Sequence, residues 1–306
     1  MSLRPGTFQE LKVERESPFG YFLSDGTEDV LLHYAEADKE RKIEIGDILE
    51  VFLYTDHKGR ISATLNDPII AYGEGNFLKV KDFQRNIGFF LDNGIGKQIL
   101  LPTKELPNEI NIWPALGDLV FVTLDYDKEG RLLAKLITSE EEFYEYLELL
   151  DHDEDEENGK LDITQIRKSE YIDGIVFHHL SVGAQIYLPR LRTLGFLHRS
   201  EQTHELRLGE KVSVRIAFIR DDERINLGMR PLKQDSMTED SEKILQTLND
   251  RGGAMPYWDK TPADIIETKF KMSKGAFKRA LGKLLKENQI YQEEGWTYLK
   301  KQDELS

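Results

Sequence analysis

Cysteine is absent from all 306 residues, which excludes disulfides, thiolate metal sites and a cysteine nucleophile. Long apolar runs are absent too. No stretch approaches the ~20 residues that cross a bilayer, and the opening MSLRPGTFQE has no signal-peptide core. These absences predict a cytoplasmic protein with no membrane partner. Hydrophobic residues make up 39% and charged residues 32%, enough for ordinary cores and too polar for a membrane protein. The length suggests two or three domains, or more if they are small barrels.

Basic residues are scarce in one half of the chain. The formal charge is −15 overall. Residues 1–159 carry a net −18, residues 160–234 a net +4 and residues 235–306 a net −1. Phosphate binding needs lysine and arginine, so most nucleic-acid affinity is expected beyond residue 160.

What is present is a repeat. Residues 43–68, 114–137 and 206–231 each read as Gly-acidic, an alternating strand, a polar turn, then Arg and a second strand. Alternation places Leu49, Val51 and Leu53 on one strand face, matched by Val120, Val122 and Leu124 and by Val212, Val214 and Ile216. The partner strands carry Ile61, Ala63 and Leu65, then Leu132, Ala134 and Leu136, then Ile225, Leu227 and Met229. Turns at 57–59, 128–130 and 221–223 make each pair a hairpin. Upstream of each hairpin, residues 17–37, 86–106 and 180–201 share a second pattern. A first strand at 7–13, 77–83 or 171–177 completes five strands per copy, the pattern of a small oligonucleotide-binding (OB) barrel.

The sequence GFLHRSE at 195–201, followed by LGEKVSV and ERINLGM, resembles the S1-type RNA-binding domain. FGYFL at 19–23 with LLH at 31–33 resembles the same domain's second and third strands, and the second copy is the most divergent. Between copies two and three, residues 140–158 hold eleven acidic and no basic residues. The first part can form a helix with Phe143, Leu147 and Leu150 on one side, and 151–158 reads as a solvated acidic linker.

The tail differs. Helices are expected at 238–249, 262–270 and 273–287, then a hairpin of 289–292 and 296–299, which together suggest a winged helix. In the third helix Phe277, Ala280, Leu281, Leu284 and Leu285 fill one arc. Lys278, Arg279, Lys283 and Lys286 fill the opposite arc, with Lys274 in the first turn. From Lys269 to Lys286 seven residues are basic and none acidic, which points to phosphate contact.

The expected fold is therefore mostly β with a C-terminal α+β module: three five-stranded OB-fold (S1-type) barrels plus a winged helix. The expected boundaries are 1–72, 73–138, an acidic helix or linker at 139–159, 160–234 and 235–306. This arrangement resembles the conserved virulence factor B family of bacterial RNA-binding regulators. The resemblance implies a cytoplasmic protein that binds single-stranded RNA and acts on gene expression after transcription.

Such barrels stack unpaired bases on rings and hold the backbone with cations. In the first copy Phe19, Phe22 and His33 occupy the three matched platform positions. The second copy matches only at Phe90, with Ile87 and Pro102 at the others, and reads mainly as a spacer. The third keeps His198 but has Val182 and Gln185 where rings are expected. Tyr187 shares the face of Gln185, and Arg190, Arg192, Arg199 and Arg215 supply charge, so the third copy is the expected main binder. His178, His179, His198 and His204 lack zinc-site spacing and read as exposed or RNA-facing. With no catalytic signature and every segment assigned to binding modules, the expectation is no enzyme, no cofactor and no metal. The alternative is a DNA-binding transcriptional regulator that uses the winged helix. Protein partners are not specified by the sequence.

Overall fold

The computed structural model describes residues 3–37, 42–56, 58–151, 170–222, 224–230 and 233–300. The turn residues His57 and Glu223, the side chain of Leu150 and most of the proposed acidic linker lie outside them. Among the described residues, no helix is long and apolar enough to cross a membrane. The chain divides into two compact units, Met1–Met229 and Arg230–Ser306.

The first unit holds three copies of one topology. In the first, β1 (Phe8–Ser17), β2 (Gly20–Ser24), β3 (Asp29–His33), β4 (Ile48–Thr55) and β5 (Ile61–Thr64) form a closed barrel in the order β1-β2-β3-β5-β4. A parallel ladder pairing Leu31 with Ser62 and Leu32 with Ala63 joins β3 to β5, while β4 returns to β1. The third copy repeats this order with β11 (Tyr171–Leu180), β12 (Gly183–Leu188), β13 (Thr193–His198), β14 (Lys211–Ile219) and β15 (Ile225–Gly228). The second copy, β6 (Gly75–Gln84), β7 (Gly88–Asp92), β8 (Ile99–Pro102), β9 (Leu119–Tyr126) and β10 (Leu132–Leu136), keeps the order as a five-stranded sheet. Among its described residues no ladder closes β8 onto β10.

The expected alternation holds. Leu49, Val51 and Leu53, and their counterparts in the other two copies, are buried. Met229, Ile61 and Leu65 pack at core edges, half-buried. Each first strand runs beyond its expected end because it bends and pairs on two sides. The register shifts at the equivalent point in all three, after Val13, Val80 and Val176. A bulge there lets one strand turn the barrel corner. Gly20 and Gly88, at φ of +151° and +150°, open the second strands. A Cβ on either would stand 2.1 Å from the carbonyl oxygen of Leu32 or Leu101. Only glycine lets the two backbones approach that closely.

The acidic helix α1 (Glu140–Asp151) is more than a linker. Phe143 and Leu147 are buried in a cluster with Phe121 of β9 and Phe177 and Tyr187 of the third barrel. Tyr144 Oη accepts from the Leu194 N–H at 3.0 Å. Its apolar side thus fastens the second barrel to the third, while its carboxylates stay outside.

In the second unit, α2 (Lys233–Asp250), α3 (Ala263–Phe270) and α4 (Lys274–Lys286) carry a three-stranded sheet of β16 (Ala254–Met255), β17 (Ile290–Glu293) and β18 (Trp296–Leu299), in the order β16-β18-β17. The strand β16 was not expected from its two residues. The core unites Ile244 and Leu248 of α2, Ile266 and Phe270 of α3, and Phe277, Leu281 and Leu284 of α4. Ser273 caps α4 by accepting from the Ala276 N–H at 3.2 Å.

Candidate nucleic-acid interface

In the first barrel, strand alternation sends Leu23 into the core and Phe22 outward. Phe19, in the turn before β2, is 65% exposed. His33 ends β3 and caps the turn that follows, its Nδ1 accepting from the Ala35 N–H at 3.1 Å. That bond leaves the proton of the neutral ring on Nε2. One face of Phe22 is already covered, because the Arg15 guanidinium stands 3.5 Å from its centroid. Arg15 was missed in the sequence. It lies directly across the ladder from Phe22, and only the bulge puts it there.

In the second barrel Phe90, Ile87 and Pro102 line one groove of about 860 Å³, shared with Tyr54 of β4. Lys97, Lys104 and Arg131 also reach it, alongside Asp56 and Asp127. The residue opposite Phe90 on β6 is Asp82, where the first barrel has Arg15. An anion beside the ring is a poor setting for a phosphate backbone.

The third barrel corrects two expectations. Tyr187 is 8% exposed and stacks on Phe77 of the second barrel, with centroids 5.1 Å apart and planes at 21°. It is part of the inter-barrel core, because its strand packs against β6 and α1 at that point. Arg215 is 7% exposed, with its guanidinium 3.8 Å from Glu201. It faces Gly228, and the missing side chain there gives the guanidinium its room. Arg190 is exposed but paired with Glu170 at 3.0 Å, and Arg192 is half-buried in a left-handed conformation at φ +50°. Arg199 and His198 are exposed. His198 Nδ1 accepts from the Ser200 N–H at 3.1 Å, the same cap that His33 makes.

The ring that occupies this face is Phe196, across the ladder from Gln185. Its centroid lies 6.2 Å from that of His198. Strand period could have found it, since Phe196 and His198 are two residues apart and share a face. Phe196, Gln185 and Asn226 line a groove of about 310 Å³, with Arg220 and Arg224 on its rim. Neither arginine was anticipated, because both belong to the hairpin ends that fold back over the face. Phe218 is a further exposed ring beside Arg220.

The four histidines do different jobs. Burial pushes the pKa values of His178 and His179 down. Both are half-buried rather than fully exposed. His204 bonds to Glu210 at 2.8 Å. Among the described residues no cluster has the makings of a metal site.

On α4, Lys278, Arg279 and Lys286 are exposed, while Lys274 and Lys283 are half-buried. Leu285, expected inside, is 41% exposed, because the core arc ends at Leu284. The helix presents a cationic surface, with Gly282 adding no bulk to it. The hairpin beside it carries Tyr291 and Tyr298, stacked at 5.0 Å.

Comparison with known proteins agrees with this architecture. Residues 5–66 match the S1 domain family, and residues 76–135 match the family described as the CvfB first S1-like domain. Residues 161–231 match the second domain of virulence regulatory factor CvfB, and 242–299 the CvfB-like winged helix domain. The Bacillus subtilis protein YitL is 38% identical over 98% of this chain and 95% of its own length. Conserved virulence factor B of Staphylococcus haemolyticus is 33% identical over 88% of this chain and 85% of its own. A Streptococcus pneumoniae crystal structure, described as a multidomain protein with nucleic acid binding domains, superposes with a TM-score of 0.61 at 27% identity, covering 97% of this chain and 98% of that one. With S1-type barrels, a winged helix and relatives of this similarity along nearly its whole length, the chain belongs to the conserved virulence factor B family.

Proposed function

We propose that this chain is a cytoplasmic single-stranded RNA-binding regulator that acts after transcription and carries no catalytic activity of its own. The observation that carries this reading is the face of the third barrel. Phe196 and His198, two residues apart on β13, share that face, with Arg220 and Arg224 on the rim of its groove and the exposed Arg199 next to His198. Rings take unstacked bases, and guanidinium groups take the phosphates between them. The Streptococcus pneumoniae relative is described by its nucleic acid binding domains, and the staphylococcal relatives by virulence. The first barrel, with Phe19, Phe22, Arg15 and His33, adds a second and weaker platform. The second serves mainly to hold its neighbours.

Duplex DNA binding through α4 is the alternative, favoured by the exposed Lys278, Arg279 and Lys286 on one helix face. Competition between a uridine-rich single strand and duplex DNA for the full chain, at fixed salt, separates the two. The RNA reading expects the single strand to displace the duplex. Preferential retention of one duplex sequence overturns it.

A further inference from the structure

The groove of the third barrel contains an acid that a phosphate-binding surface does not need. Glu140, the first residue of α1, reaches over the barrel face and lines the groove with Gln185 and Phe196. Gln185 Nε2 donates to Glu140 Oε2 at 2.7 Å. A carboxylate can only accept, so this bond fixes the Gln185 amide with its nitrogen toward the acid. The position of Glu140 is not accidental fraying. Phe143, one turn later, is fully buried, and Tyr144 is bonded to the backbone of β13. The helix is pinned where its first carboxylate meets the groove.

The rest of the groove sorts by chemistry. Leu180, Leu194, Phe196 and Ile225 give it apolar walls, Asn226 adds a polar side chain, and its volume of about 310 Å³ has room for a single nucleobase. Arg220 and Arg224 stand on the rim, both turned loosely toward Asp222 at 3.4 and 3.8 Å. A base stacked on Phe196 would therefore meet a fixed acceptor at Glu140 and cationic donors at the arginines.

We infer that this groove is a guanine-selective subsite in which Glu140 reads the Watson–Crick edge of the base. The reason is the arrangement of donors. Guanine presents two adjacent N–H donors, at N1 and the N2 amino group, which a carboxylate accepts together. Adenine and cytosine each present one amino donor beside a ring acceptor. Uracil presents one N–H flanked by two carbonyl oxygens, which a carboxylate repels. Guanine O6, beside N1, is an acceptor suited to a guanidinium. A two-bond, charge-assisted pair separates right from wrong bases by roughly tenfold or more.

This inference rests on the reading of the chain as a single-strand binder, and one experiment separates the two. The full chain is titrated, by fluorescence anisotropy, with a twelve-nucleotide oligouridine. Variants of that strand carry a single central guanosine, inosine, adenosine or cytidine. The expected result is roughly tenfold tighter binding of the guanosine strand than of the others. Inosine, which lacks the N2 amino group, should lose most of that gain. In Glu140→Gln the guanosine preference should vanish while oligouridine affinity holds or rises a few-fold as the repulsion is lost, and an unchanged melting temperature shows the variant folded. Equal binding of all five strands by the native chain overturns the inference and leaves the single-strand reading standing. So does a uniform gain for every strand in Glu140→Gln, which would make the carboxylate a plain repulsive group. Failure of every strand to bind overturns both.

Discussion

Tyr187 of the third barrel stacks on Phe77 of the second, and the fully buried Phe143 of α1 closes on both rings. A side chain suited by type to a base platform is thus spent on joining two domains. Tyr187→Ala should cost about 3 kcal/mol or more of stability, the range for emptying an aromatic site in a core. Thermal unfolding of the full chain measures it. If Tyr187→Ala melts normally and binds RNA tenfold more weakly, its role is contact with the strand rather than packing.

Asp118 and Arg207 make the polar part of the same junction. Arg207 Nε donates to Asp118 Oδ2 at 3.1 Å, and that oxygen also accepts from the Ala115 N–H at 2.7 Å. Beside them the Leu119 N–H donates to the Gly209 carbonyl at 2.8 Å. Arg207→Ala leaves a buried carboxylate short of a partner and should cost about 1–3 kcal/mol. Adding Asp118→Asn should recover part of that loss in a double-mutant cycle. Fully additive effects would show that the pair is not coupled.

Stacking is expected at Phe196 and Phe22. Each alanine variant should weaken single-strand binding by about 1–3 kcal/mol where its barrel is used. The larger loss belongs to Phe196, because the third barrel lies in the basic part of the chain. Both variants should keep the native melting temperature, since these rings are half-exposed. Normal affinity with a large drop in melting temperature would assign them to packing.

The winged helix is tested through salt. Replacing Lys278, Arg279 and Lys286 together with glutamine removes three exposed cations. Each lost phosphate contact should flatten the slope of log affinity against log salt by ~0.7 for a single strand. The weakening should be alike for different RNA sequences, because phosphates carry no base identity. An unchanged slope with RNA and with DNA would mean that these residues only solvate the helix.

Acid should weaken the fold through His178 and His179. Burial lowers both pKa values in the folded chain. Between the folded values and the ordinary value of about 6.5, the unfolded chain binds more protons. Stability is therefore full above about pH 6.5 and falls as the pH drops toward the folded values. The double variant His178→Asn, His179→Asn should show a shallower decline of melting temperature between about pH 7 and pH 5. An identical decline would place the acid sensitivity elsewhere.

Much of this protein was legible in the chain itself. Period-two alternation in three hairpins set which residues enter each barrel, and the arc from Phe277 to Leu284 set the buried side of α4. Both are local periodicities, and burial follows them because each element has one apolar face. Tertiary structure decided what lies between the copies. Nothing in the local pattern of Tyr187 distinguishes a face turned to solvent from one covered by a neighbouring barrel, so the platform assignment failed there. Arg215 looked outward by alternation, yet Gly228 on the next strand made room to bury it. Arg15, Glu140, Arg220 and Arg224 reach the candidate sites only through a bulge, a docked helix and a folded-back hairpin. Those placements depend on packing between segments distant in sequence, which no local periodicity encodes.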